Sequence, residues 1–129
     1  MRFHEVGPIE PNFEGGVHGA ELALGFGATA LLAYNDLMAL GVMRALSTRG
    51  IRVPDDMSLI GFDNILYAAM CAPALTTVAM PMEAAGRAAA ETLLAEIHGR
   101  PRRPARSPDE LSRLHSELII RGTTGPPRK

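Results

Sequence analysis

Two polar pairs hold the chemistry this chain has to offer. Asn35-Asp36 and Asp63-Asn64 each close a short apolar run, Ala30-Leu31-Leu32-Ala33-Tyr34 and Met57-Ser58-Leu59-Ile60-Gly61-Phe62. An amide and a carboxylate fixed at a strand edge give set directions to hydrogen bonds with the hydroxyl or amino groups of a small polar ligand. Asn35 and Asp63 are the candidates for that work. Residue types alone leave a second reading open with equal weight, in which Asn35-Asp36 only caps a helix and Asp63-Asn64 only turns the chain. Asp36 is assigned to capping.

Other possible sites are weaker. Gly25-Phe26-Gly27-Ala28-Thr29-Ala30 spells the G-x-G-x-x-A of a dinucleotide-binding turn. Its glycines follow a helix and precede a strand, the reverse of the order such a turn needs, and the match is set aside. Arg100, Arg102, Arg103 and Arg106 lie among prolines with no interleaved aromatic residue, which favours a solvated connector over a phosphate-seeking arm. His4, His18, His98 and His115 show no metal-ligand spacing with one another or with Cys71, and no hydroxyl is paired with a base as a nucleophile would be. Neither catalysis nor a metal or cofactor is expected. Cys71, the lone cysteine, has no internal disulfide partner and reads as a small buried apolar residue.

The elements that must position Asn35 and Asp63 follow from apolar periodicity and punctuation. The two apolar runs read as strands buried on both faces, and Leu37 to Arg49 between them has helix length, so the stretch is a βαβ unit with parallel strands. In open parallel sheets ligands bind outside the carboxyl ends of the strands, where Asn35 and Asp63 stand. Asp36 would cap the helix and Gly50 would end it in a left-handed conformation. Leu37, Met38, Leu40, Val42, Met43, Ala45 and Leu46 cover nearly the whole circumference of that helix, which therefore needs burial on more than one side. Upstream, Arg2 to Val6 reads as a first strand with Phe3 inward, Pro8 to Asn12 as a turn, and Val17 to Leu24 as a helix. Downstream, Ile65 to Ala72 is a short turn or helix and Leu75 to Val78 a third strand. Pro81 to His98 is a long helix with Met82, Gly86, Ala89, Ala90, Leu93, Leu94 and Ile97 inward and Glu83, Arg87 and Glu91 outward. Residues 99–108 form a loop, Leu118-Ile119-Ile120 a closing strand and 122–129 a Gly/Pro tail.

The chain has 129 residues, of which 47% are hydrophobic, enough for one core, so a single domain over 1–129 is expected. Thirteen basic and 14 acidic residues leave a net charge of −1, without the basic excess of a domain that grips a phosphate backbone by its own surface. No run approaches the roughly 18 apolar residues of a membrane span, and Met1-Arg2-Phe3-His4-Glu5 lacks the apolar core of a signal peptide. The expected compartment is the cytoplasm.

TALLAYNDLMALGVMRALSTRGIRVPDDMSLIGFDN, PALTTVAMPMEAAGRAAAETLLAEI and ELIIRGTTG resemble, in that order, the C-terminal part of LacI-type transcriptional regulators. The resemblance covers Phe13 to Gly125, and the joint occurrence of YNDLMALG, VPDDMSLIGFDN and PALTTV makes it specific. In that family a helix-turn-helix reads operator DNA, and a two-lobed periplasmic-binding-protein-like domain holds an effector between its lobes. The resemblance implies an α/β fold, a Rossmann-like parallel sheet flanked by helices, forming one lobe of that domain. It implies an effector-binding and dimerisation lobe for a small polar ligand such as a sugar or nucleobase, with DNA reached only through a helix-turn-helix that has no counterpart here.

Carried over by position, Asn35 and Asp63 match residues that face the effector. The aromatic wall residue of the family falls near Pro11, with Phe13 as its substitute. Leu37, Leu40 and Met43, joined by Met70 and Cys71, match the dimer-forming surface of a homodimer. The segment after Val78 would cross toward the first lobe, leaving the Pro81 to His98 helix without its usual packing partner. The alternative is a sugar-type solute-binding module of a transport system, which the missing signal peptide disfavours.

Overall fold

The computed structural model describes residues 2–99 and 115–126. Its elements run α1 (Phe13–Leu24), β1 (Ala30–Leu32), α2 (Asp36–Thr48), β2 (Ser58–Asp63), α3 (Leu66–Met70), β3 (Thr76–Ala79), α4 (Met82–Ile97) and β4 (Glu117–Ile119). The strands form a sheet in the order β1-β2-β3-β4, in which β1, β2 and β3 are mutually parallel. The expected βαβ unit is present, with Ala30 opposite Ser58 and Leu32 opposite Ile60. The chain divides into two compact units. One holds the described residues through Ala79 and from Leu118 onward, the other Met80 to Glu117.

The core of the first unit is built from small residues around a few large ones. Ala20, Ala39, Leu46, Leu59, Ala68 and Leu75 are all fully buried. Burial of each leucine contributes roughly 1.5–3 kcal/mol. The alanines let elements approach closely, and two glycines carry this further. A Cβ on Gly16 would strike the backbone of Met38, and one on Gly41 would strike the carbonyl of Phe13, so α1 and α2 cross with their backbones in contact. Their N-termini are thereby brought side by side at one end of the sheet.

α1 starts at Phe13, a turn earlier than the apolar periodicity suggests, because Asn12 caps it by accepting a hydrogen bond from the Gly15 N–H at 2.8 Å. Arg2 to Val6 forms no strand. Phe3 and Val6, its apolar residues, fall on opposite faces of any strand and offer the sheet no single apolar side. Phe3 stays 80% exposed, and the segment is held instead by stacking of His4 on Phe26, with ring centroids 4.6 Å apart. The start of the stretch read as a tail is tied in: Thr123 is fully buried, its hydroxyl donating to the Leu59 carbonyl at 2.7 Å and accepting from the Thr76 N–H at 2.8 Å. Beyond Gly99, the loop read over 99–108 and its arginines lie outside the described residues. In the second unit α4 forms over the expected span, with a Glu83–Arg87 ion pair at 2.8 Å. Its expected inward face is not buried. Leu93, Leu94 and Ile97 are each more than half exposed, because among the described residues of this unit no layer covers the helix.

Asp36 corrects another expectation. Asn35, not Asp36, caps α2, its Oδ1 accepting from the Met38 N–H at 2.8 Å. Asp36 is fully buried and reaches across β2, where it passes so close to Gly61 that a Cβ there would strike its carboxylate. Its Oδ1 accepts from the Thr77 hydroxyl of β3 at 2.6 Å and its Oδ2 from the Ile65 N–H at 2.9 Å. One side chain thus joins the start of α2, the turn after β2 and the middle of β3. Asp36→Ala leaves the Thr77 hydroxyl and the Ile65 N–H without acceptors, at about 1–3 kcal/mol for each buried donor. Urea unfolding followed by circular dichroism is expected to show a loss of roughly 2–4 kcal/mol for this variant.

Candidate functional site

The carboxyl edge of the sheet holds Asn35 and Asp63, and Asn35 holds Pro11. Asn35 lies three positions past Leu32, the last residue of β1, and Asp63 is the last residue of β2, so both stand at the carboxyl ends of adjacent parallel strands. Asn35 is fixed at both ends of its amide. Besides capping α2, it donates from Nδ2 to the Pro11 carbonyl at 2.9 Å. The capping reading of Asn35 is therefore correct, and the cap leaves the second Nδ2 hydrogen and an Oδ1 lone pair in a fixed orientation. Pro11 is thus in contact with Asn35, and Phe13, 39% exposed, opens α1 two residues later.

Asp63 differs from Asn35 in having no hydrogen-bond or ion-pair partner for its side chain among the described residues. It ends β2 opposite Ala79 with φ 106°, and Asn64 follows with φ 55°. Two successive non-glycine residues at positive φ cost about 1–3 kcal/mol each, and such geometry persists only where the surroundings over-determine it. Here three bonds do so. The Asn64 N–H donates to the Thr77 hydroxyl at 3.3 Å, Arg121 Nη2 donates to Asn64 Oδ1 at 2.7 Å, and the Ile65 N–H donates to Asp36. The result is an exposed, unpaired carboxylate on a rigid turn. Partial burial, and after it the nearby charge of Asp36, hold the Asp63 carboxyl above the usual carboxylate range.

The residues matched to a dimer surface are dispersed over two helices. On α2, Leu37 is 44% exposed, while Leu40 and Met43 are half-buried, Met43 packing on the core. At the end of α3, Met70 is 68% exposed. Cys71 is half-buried against the core, with its thiol facing the Ala68 and Pro73 carbonyls at 3.4 and 3.3 Å. Leu66 and Tyr67, which sequence reasoning passed over, add exposed apolar surface to α3. Thr77, Asn64 and Arg121 were also passed over as supports of the site. A usable signal was present: two adjacent polar residues open a helix that is otherwise apolar all round, and only one of them can cap it. Among the described residues no group of three His, Cys, Asp or Glu side chains comes together as a metal would require. No helix among them is long and apolar enough to cross a membrane.

The family model described as a periplasmic binding protein-like domain matches residues 4–124. The HTH-type transcriptional regulator DegA of Bacillus subtilis (strain 168) is 44% identical over 101 residues, which are 76% of this chain and 28% of that protein. The HTH-type transcriptional regulator MalR of Streptomyces coelicolor is 41% identical over 111 residues, 86% of this chain and 31% of its own length. The chain thus spans less than a third of the length of these curated relatives. Among solved structures, a LacI family transcriptional regulator from Arthrobacter sp. FB24 in complex with lactose superposes with a TM-score of 0.73 at 34% identity, over 91% of this chain and 43% of that one.

The electrostatics of Asp63 give a pH-dependent expectation. Its folded-state pKa lies above the unfolded value, so the ionised carboxylate destabilises the fold at neutral pH, and that cost disappears once the group is protonated. Asp63→Asn is expected to raise the melting temperature at pH 7. The gain should shrink steadily as the pH is lowered through the carboxyl titration, as read by thermal melts across a pH series.

Proposed function

The chain belongs to the periplasmic-binding-protein-like domain family, as found in LacI-type regulators, and from that premise we propose that it is the effector-binding and dimerisation part of a cytoplasmic transcriptional regulator. Its effector is a small polar molecule, a sugar or a nucleobase. DNA is reached through a helix-turn-helix outside these 129 residues. The observation that carries this reading is the Asp63 carboxylate on its braced turn, unpaired among the described residues, at the same sheet edge as the Asn35 amide that is fixed on the Pro11 carbonyl. A carboxylate accepts from ligand hydroxyls, and the remaining Nδ2 hydrogen of Asn35 donates to a neighbouring oxygen. Phe13 offers an apolar surface to the ring. The match to a regulator solved with lactose supports a sugar, and relatives named as transcription regulators favour this reading over a transport module or an enzyme. In regulation of this kind, effector binding shifts an equilibrium between conformations with different DNA affinity.

The dimer half of the proposal rests on α2 and α3. The Asp36–Ile65 bond ties the start of α2 to the residue that caps α3, which sets exposed Leu37 near exposed Leu66 and extends the apolar surface to Tyr67 and Met70. Leu40, Met43 and Cys71, each half-buried, complete the proposed surface.

A thermal-shift screen against lactose, ribose, adenine, hypoxanthine and their nucleosides tests the ligand half. Stabilisation of a few degrees by one class, lost in Asp63→Ala, is expected, because a ligand that binds only the folded state raises its stability. Stabilisation that survives Asp63→Ala would remove Asp63 from the site. Light scattering tests the other half: a dimer is expected that dissociates in the Leu37→Glu, Met70→Glu double variant, whereas a strict monomer at high concentration would defeat the assignment.

A further inference from the structure

The turn that presents Asp63 is braced from three places, the most remote of them at Arg121. Its first residue belongs to β2, paired with Ala79 of β3. Its last, Ile65, is held by Asp36. Its middle, Asn64, is held through the backbone only by a 3.3 Å bond to Thr77, which is long for an N–H donor. The short bond at Asn64 comes from Arg121, 57 positions on in the chain.

Arg121 has a fixed base. Its own N–H donates to the Thr76 hydroxyl at 2.9 Å, the next residue's N–H donates to the Ala74 carbonyl at 2.8 Å, and Thr123 is sewn to Leu59 and Thr76. The guanidinium forks from there, with Nη1 on the Leu75 carbonyl and Nη2 on Asn64 Oδ1, both at 2.7 Å. Two charge-assisted bonds from one planar group fix direction as well as distance, which a lysine ammonium cannot do at both acceptors. The fork therefore ties the middle of a strained turn to the start of β3.

We propose that Arg121 is a positioning residue for Asp63: by latching Asn64 it holds the Asp63–Asn64 turn in the positive-φ geometry that presents the carboxylate to ligand. This rests on the reading of Asp63 as the ligand-facing group. Arg121 itself does not touch the ligand. Without the latch the turn relaxes toward ordinary backbone angles, the Ile65 N–H loosens from Asp36, and the Asp63 carboxyl moves into water and away from the Asp36 charge.

The test needs no ligand, so it stands apart from the screen in which Asp63→Ala decides whether Asp63 binds anything. Amide hydrogen exchange and the carboxyl ¹³C titration of Asp63 are measured on the full chain and on two variants. Arg121→Met removes the fork. Asn64→Gly removes the acceptor, changes no charge and still permits positive φ. The expected result is exchange at the Ile65 amide at least about tenfold faster in both variants, while the Leu59 amide, bonded to the Thr123 carbonyl, changes less than about twofold. The Asp63 titration should fall toward the usual carboxylate range in Asn64→Gly. Adding Asn64→Gly to Arg121→Met should speed Ile65 exchange no further, since the contact it cuts is already gone. Unchanged Ile65 exchange and Asp63 titration in Asn64→Gly overturn the proposal. A response confined to Arg121→Met overturns it as well, because it would place the arginine's effect at Leu75.

Discussion

The described fold turns on one buried carboxylate. A carboxylate taken out of water costs several kcal/mol unless donors meet it, so burying Asp36 makes sense only where the structure supplies those donors without strain. Thr77 and the Ile65 N–H supply them, and meeting both at once sets the distance from α2 to β3 and the path of the chain after β2. The bare backbone at Gly61 is the matching concession on β2. Everything that makes the carboxyl edge of the sheet usable depends on this: the turn at Asp63 can adopt an expensive conformation because the residue after it is already anchored.

The two asparagines that cap helices add a second layer of order. Asn12 starts α1 and Asn35 starts α2, and the glycine contacts between those helices bring the two starts together. Asn35 then bonds to the carbonyl of Pro11, just ahead of the first cap. The residue that caps α2 is thereby held at both ends of its amide.

Much of this architecture was legible in the residues. The apolar runs ending at Tyr34 and Phe62, the helix between them and the position of Asn35 and Asp63 at the strand ends follow from periodicity and turn chemistry, which are local properties. What was not legible is long-range. Residue types point Asp36 to capping because its contact with Thr77 spans 41 positions and leaves no local trace. Thr123 was read as tail because glycine and proline around it signal irregular backbone, and irregular backbone can still be buried when its hydrogen bonds are met, as here by Leu59 and Thr76. Arg2 to Val6 failed as a strand for the opposite reason: its local composition is compatible with one, but no apolar face exists to draw it onto the sheet. The helix from Met82 to Ile97 shows that amphipathic spacing predicts a helix without guaranteeing a surface to receive it.

Gly61 and Asp36 also constrain how this sequence can drift. A side chain at 61 and a carboxylate reaching from 36 occupy the same space, so neither site can change alone without a penalty on the way. Phe13 and Pro11, exposed on the rim, carry no such mutual exclusion. The exposed rim can therefore change by single steps, while the brace beneath Asp63 is inherited as a linked set or replaced as one.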